Sequence, residues 1–77
     1  MPKLTVENWR TLEAVFLAVG FRFARQVGSH RHYVKAGVTR PVTIPAYREV
    51  PVHIIQNNLK TAGISRDEYF EILAKVK

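Results

Sequence analysis

FRFARQVGSHRHYVK, residues 21–35, holds two extended runs joined by a Gly-Ser pair. Phe21 to Val27 reads as a first strand, with Phe21, Phe23 and Val27 on one face and Arg22, Ala24 and Gln26 on the other. Arg25 interrupts the apolar face. Gly28-Ser29 reads as a turn. His30 to Lys35 reads as a second strand, with His30, His32 and Val34 facing one way and Arg31, Tyr33 and Lys35 the other. Ala36-Gly37-Val38 then connects to a third strand, Arg40 to Ile44, closed by Pro45. A proline suits a strand end or a sheet edge, because it cannot donate to a central ladder.

Helical periodicity flanks this meander on both sides. Val6, Trp9, Leu12, Phe16 and Val19 recur at spacings of three and four, so a helix is expected from Thr5, as its cap, to about Val19. Gly20 stands where a left-handed residue ends a helix. Downstream, Pro51 suits a first helical turn, and Val52, Ile55, Leu59 and Ala62 mark an apolar stripe ended by Gly63. Ser65-Arg66-Asp67-Glu68 is a capping box for a last helix with Tyr69, Ile72, Leu73 and Val76 on its apolar side. The expected architecture is α+β, in the order α-β-β-β-α with a short extra C-terminal helix. Its helices lie on one sheet face and the other face is open.

Composition narrows the classes. The 77 residues suit a single domain over 1–77 with a thin core. There is no cysteine, which excludes disulfide staples, thiolate zinc sites and a cysteine nucleophile. The longest apolar run, Ala14 to Val19, is six residues, too short to span a bilayer. No signal-peptide pattern is visible, so a cytoplasmic location without membrane contact is expected. Twelve Lys and Arg against six Asp and Glu give a formal charge of +6, which favours an anionic partner.

The charge is unevenly placed. No carboxylate lies between Glu13 and Glu49, whereas Arg22, Arg25, Arg31, Lys35, Arg40 and Arg48 do, interleaved with Phe21, Phe23 and Tyr33. A basic sheet with aromatics fits a phosphate backbone, and it equally fits a solvated face over an aromatic core. His30 and His32 are two apart, a spacing that could hold a metal, but no nearby acid completes a site, so neither metal nor cofactor is expected. Ser29 beside His30 lacks an acid to orient a Ser–His pair, and neighbours on a strand point opposite ways. His53 reads as a surface residue and Trp9 as core. His30 reads as a surface or hydrogen-bonded structural residue, or as a proton-transfer group. One imidazole beside cationic side chains is a minimal kit for RNA cleavage, since RNA carries its own nucleophile, the 2′-hydroxyl.

Gly20-Phe21, Gly28-Ser29-His30 with Tyr33, Val42-Thr43-Ile44-Pro45, and Leu59-Lys60-Thr61-Ala62-Gly63-Ile64-Ser65 together resemble the HicA toxin family over nearly the whole chain. The resemblance implies a double-stranded-RNA-binding-domain-like fold and a ribonuclease that cleaves mRNA and arrests translation. It also implies a HicB antitoxin as partner. It maps the family's catalytic histidine onto His30. The basic, acid-free stretch around it makes Arg22, Arg25, Ser29, Arg31, Lys35 and Arg40 the expected RNA contacts. Two departures stand out. Many members carry a second histidine after the strand-three proline, where this chain has Ala46-Tyr47, and many have Gly-Thr where it has His53-Ile54.

Two rivals remain at this level. One is a non-catalytic RNA-binding domain of the same fold. Binders of duplex RNA read phosphates and 2′-hydroxyls across the grooves, and a lysine cluster at the start of the last fold helix would serve that. Here that stretch is Pro51-Val52-His53-Ile54-Ile55, with no lysine before Lys60. The other is a small basic interaction protein that receives an acidic partner.

Overall fold

The first helix starts later than its apolar periodicity predicts. Asn8, not Thr5, is its cap: the Asn8 side chain accepts from the Arg10 amide at 2.9 Å. The preceding residues are drawn away by long-range pairing. Glu7 and Val50 form an antiparallel bridge, and the Trp9 amide donates to the Tyr47 carbonyl at 3.1 Å. Val6, expected in the core stripe, is therefore 45% exposed.

The structure, a computed structural model, describes residues 3–77, so the first two positions of the expected domain lie outside the described residues. The chain runs α1 (Trp9–Ala18), β1 (Arg22–Val27), β2 (His30–Val34), β3 (Val42–Pro45), α2 (Val52–Ala62) and α3 (Arg66–Val76). The strands form one antiparallel sheet in the order β1-β2-β3. This is the α+β arrangement of a double-stranded-RNA-binding-domain-like fold, with α3 added.

Helices α1 and α2 both pack on β3, and α3 packs on α1. Leu12, Val15 and Phe16 of α1 meet Tyr33, Val42 and Ile44 of the sheet, Ile55 and Leu59 of α2, and Tyr69 of α3 in one buried cluster. Phe16 and Phe21 meet edge to face, their ring centroids 5.7 Å apart.

Strand β3 is shifted from its expected span. Pro41 and Arg40 fall outside it, with Arg40 in a bend, and Pro45 falls inside it opposite His30. β3 is an edge strand, so the missing proline N–H costs no ladder bond. Strand β1 forms the other edge, and all six of its residues are exposed. Phe23 and Val27, read with Phe21 as its apolar face, are 43% and 59% exposed. The β1–β2 turn is made by Gly28 at φ +58°, a backbone region that glycine enters without steric penalty.

At the C-terminal end, Pro51 precedes α2 as a cap without a side-chain bond, and Gly63 closes that helix at φ +72°. Ser65 caps α3, its Oγ accepting from the Glu68 amide at 3.1 Å, which is the hydroxyl half of the expected capping box. Ser65→Ala is expected to lower stability by about 1 kcal/mol. Chemical denaturation would show this as a shifted midpoint with an unchanged slope, and activity per folded molecule stays at the parent value.

Candidate active site

The face of the sheet away from the helices is set by an irregularity in β1. Phe23 pairs with Tyr33 and Arg25 with His32, so Ala24 is an extra residue in a β-bulge. In a regular strand Arg22 and Arg25 would face opposite ways, as the alternation predicts. The bulge restores both to one face, because Arg22 pairs with Val34 and Arg25 with His32. That face carries Arg22, Arg25 and Val27 from β1, His30, His32 and Val34 from β2, and Thr43 and Pro45 from β3. No carboxylate lies on any of the three strands.

His30 stands at the start of β2, exposed and opposite Val27 and Pro45. Its neighbourhood is anchored by the backbone. The Ser29 carbonyl accepts from the Ala46 amide at 2.7 Å, which brings the segment after β3 against the turn. Tyr47, 43% exposed, belongs to that segment. His32 lies two residues along on the same face. Its Nδ1 is 2.9 Å from the Thr43 Oγ1, a partner that alternation places on β3 but that its residue type did not single out.

Arg31 has a different setting from the other expected RNA contacts. It faces the helices. Its Nε donates to the Tyr33 hydroxyl at 3.0 Å, one terminal nitrogen to Gln26 at 2.7 Å, and the other to Glu13 at 3.0 Å. The guanidinium lies 4.7 Å from the Trp9 ring centre and 4.3 Å from that of Phe23. Tyr33 in turn donates to Glu13. Burial, and then Glu13, push the Tyr33 hydroxyl up to about 12, so it stays protonated as that donor. The hydrogen bond to Tyr33 and then Glu13 raise Arg31 further above its already high range. Arg31 thus ties the edge strand to α1. Glu13 entered the sequence reading only as the boundary of the acid-free stretch, because nothing local links it to a residue 18 positions away.

Lys35 and Arg40 are at the far end of the sheet. Lys35 lies against Gly20 and the Phe21 ring. Arg40 lines an open groove of about 860 Å³ with Lys60 and Asn57 of α2. Of the expected contacts, the structure therefore brings Arg25 and Ser29 near His30, puts Arg22 further along the same face, puts Lys35 about five strand rises away, roughly 17 Å, and leaves Arg40 in the bend before β3. Among the described residues no three His, Asp or Glu side chains converge as metal ligands.

A three-stranded meander with its helices on one side and an acid-free, histidine-bearing face on the other defines a small basic domain of the double-stranded-RNA-binding-domain-like class. Within that class residues 9–64 match the family described as HicA toxin of bacterial toxin-antitoxin systems. The chain belongs to the HicA toxin family, and the match stops short of α3. No curated protein sequence matches it. No helix among the described residues is long and apolar enough to cross a membrane.

Proposed function

We propose that this toxin is an endoribonuclease that cleaves mRNA in the cytoplasm and so arrests translation. In this reading His30 transfers a proton, no metal takes part, and a HicB-like antitoxin holds the activity in check. The observation that carries the reading is the position of His30: exposed at a strand start, on a carboxylate-free face, with Arg25 one pleat away across β1. The 2′-hydroxyl of the RNA attacks its own phosphorus, and the bond to the 5′-oxygen breaks. The products are a 2′,3′-cyclic phosphate and a 5′-hydroxyl. The protein must move one proton from the nucleophile and one to the leaving group, and imidazole titrates in the range where both are possible. Arg22, Arg25 and the Ser29 turn hold the chain. Lys35 and Arg40 contact RNA beyond the cleaved linkage. An antitoxin surface rich in acceptors would cover the Arg-bearing face.

The test is purified protein, chelator and end-labelled single-stranded RNA: the expected result is cutting, with cyclic-phosphate ends. RNA bound but left intact would favour the non-catalytic domain, and no binding would favour the interaction protein. Binding should fall steeply with salt. Arg22→Ala and Arg25→Ala should each flatten the plot of log affinity against log salt by about one unit of slope. A salt-independent affinity would remove the sheet face as the RNA site.

A further inference from the structure

Two imidazoles, not one, stand on the open face, and the second is held in place. His30 and His32 are separated by two strand rises, about 7 Å, and alternation turns both rings to the same side. The His32 ring is half-buried, with its Nδ1 bonded to the Thr43 hydroxyl at 2.9 Å, so its Nε2 is the nitrogen left to meet a ligand. Arg25 is its cross-strand neighbour. The other groups that could serve beside His30 are less well placed. Arg31 is on the helix face and engaged by three side chains, and Lys35 is at the far end of the strand. Tyr47 is the remaining rival.

We infer that His32 is the second proton-transfer residue of this site, working with His30 across one phosphate and positioned by Thr43. This rests on the ribonuclease reading above. One ring takes the 2′-hydroxyl proton as the O2′–P bond forms. The other, protonated, gives its proton to the 5′-oxygen as the P–O5′ bond breaks. The two rings end with their protonation exchanged and water restores them, so no co-reactant is consumed. Arg25 balances the charge on the phosphorus oxygens.

The pH consequence follows from these roles. The base must start deprotonated, so the rate falls on the acid side. The acid must start protonated, so the rate falls on the alkaline side, and the parent gives a bell. The titratable or charged groups facing His32 are His30 on its own strand and Arg22 and Arg25 on β1, while the β3 residues on this face, Thr43 and Pro45, do not titrate. Deleting either ring removes one limb.

The experiment uses the full chain and an RNA oligonucleotide with one cleavable linkage, in single turnover across neutral pH. A second substrate replaces the 5′-oxygen at that linkage by sulfur, which departs without needing a proton. His32→Ala should cut the oxygen substrate about 10²–10⁴ times more slowly, keep the parent's melting temperature and RNA affinity, and retain one limb of the bell. The sulfur substrate should restore one of His30→Ala and His32→Ala, identifying that residue as the acid, and leave the other slow. Thr43→Val should slow the oxygen substrate several-fold and respond to sulfur as His32→Ala does. A bell with both limbs intact in His32→Ala, or rescue of Tyr47→Phe in its place, overturns the assignment. Failure of sulfur to restore either histidine variant overturns it as well. A parent inert on both substrates overturns the ribonuclease reading itself, and the inference with it.

Discussion

His30→Ala is expected to lower RNA cleavage by about 10²–10⁴, the worth of a positioned general acid or base, while fold and RNA affinity remain at the parent level. His30 is exposed, contributes nothing to the buried cluster, and makes no hydrogen bond to another described side chain, so truncating it leaves the core intact. In the proposed site other residues hold the phosphates, chiefly Arg22 and Arg25 on the strand beside it. Affinity and rate should therefore separate cleanly. The measurement is single-turnover cleavage beside equilibrium binding, with melting curves for both proteins. Cleavage by the variant at the parent rate would leave the non-catalytic RNA-binding reading in front.

Arg31→Ala is expected to destabilise the protein by about 2–3 kcal/mol, the upper part of the range for hydrogen bonds to a charged group. In a domain of this size that lowers the melting temperature by roughly 10–20 °C. Three of its N–H groups are bonded, and the guanidinium lies between Trp9 and Phe23. Its ion pair with Glu13 is only about one-fifth exposed. Removing Arg31 takes a partner from Gln26 and Phe23 on the edge strand, which its ladder to β2 still holds, and leaves the Glu13 carboxylate with Tyr33 alone. Arg31→Lys should rescue little, since a compact ammonium lacks the planar fork that lets one guanidinium reach Tyr33, Gln26 and Glu13 at once. The salt dependence of RNA binding should be unchanged at temperatures where the variant is folded. A variant that melts like the parent but loses a unit of salt slope would make Arg31 a phosphate contact instead of a clamp.

Local chemistry made most of the elements legible. Gly28, Gly63 and Ser65 act within a few residues of themselves, and each stands where its conformation or hydroxyl is needed. The apolar spacings of α2 and α3 follow from burial on one side only, and Ile55, Leu59 and Tyr69 are buried as that spacing requires. The start of α1 was not legible, because Val6 continues the helical spacing perfectly well. What overrides it is backbone pairing with Val50 and Tyr47, more than 35 residues away.

The candidate site shows the same boundary more sharply. The residues of the strands, their lack of carboxylates and the common side of His30 and His32 are properties of the sequence, because a two-residue period needs no partner to be read. Which arginines join them is not. Phe23 and Gln26 both reach Arg31, yet they are three apart and cannot share a face of a regular strand. The extra residue at Ala24 resolves this, and in doing so it turns Arg25 to the open face beside Arg22. Strand alternation alone would divide those two arginines and would leave Arg31 free to meet RNA. The sequence determined the elements, their order and the supply of imidazole and positive charge. Only the tertiary structure, through Glu13, Trp9 and Tyr33 gripping one guanidinium, decided which charges are spent on holding the fold and which face outward.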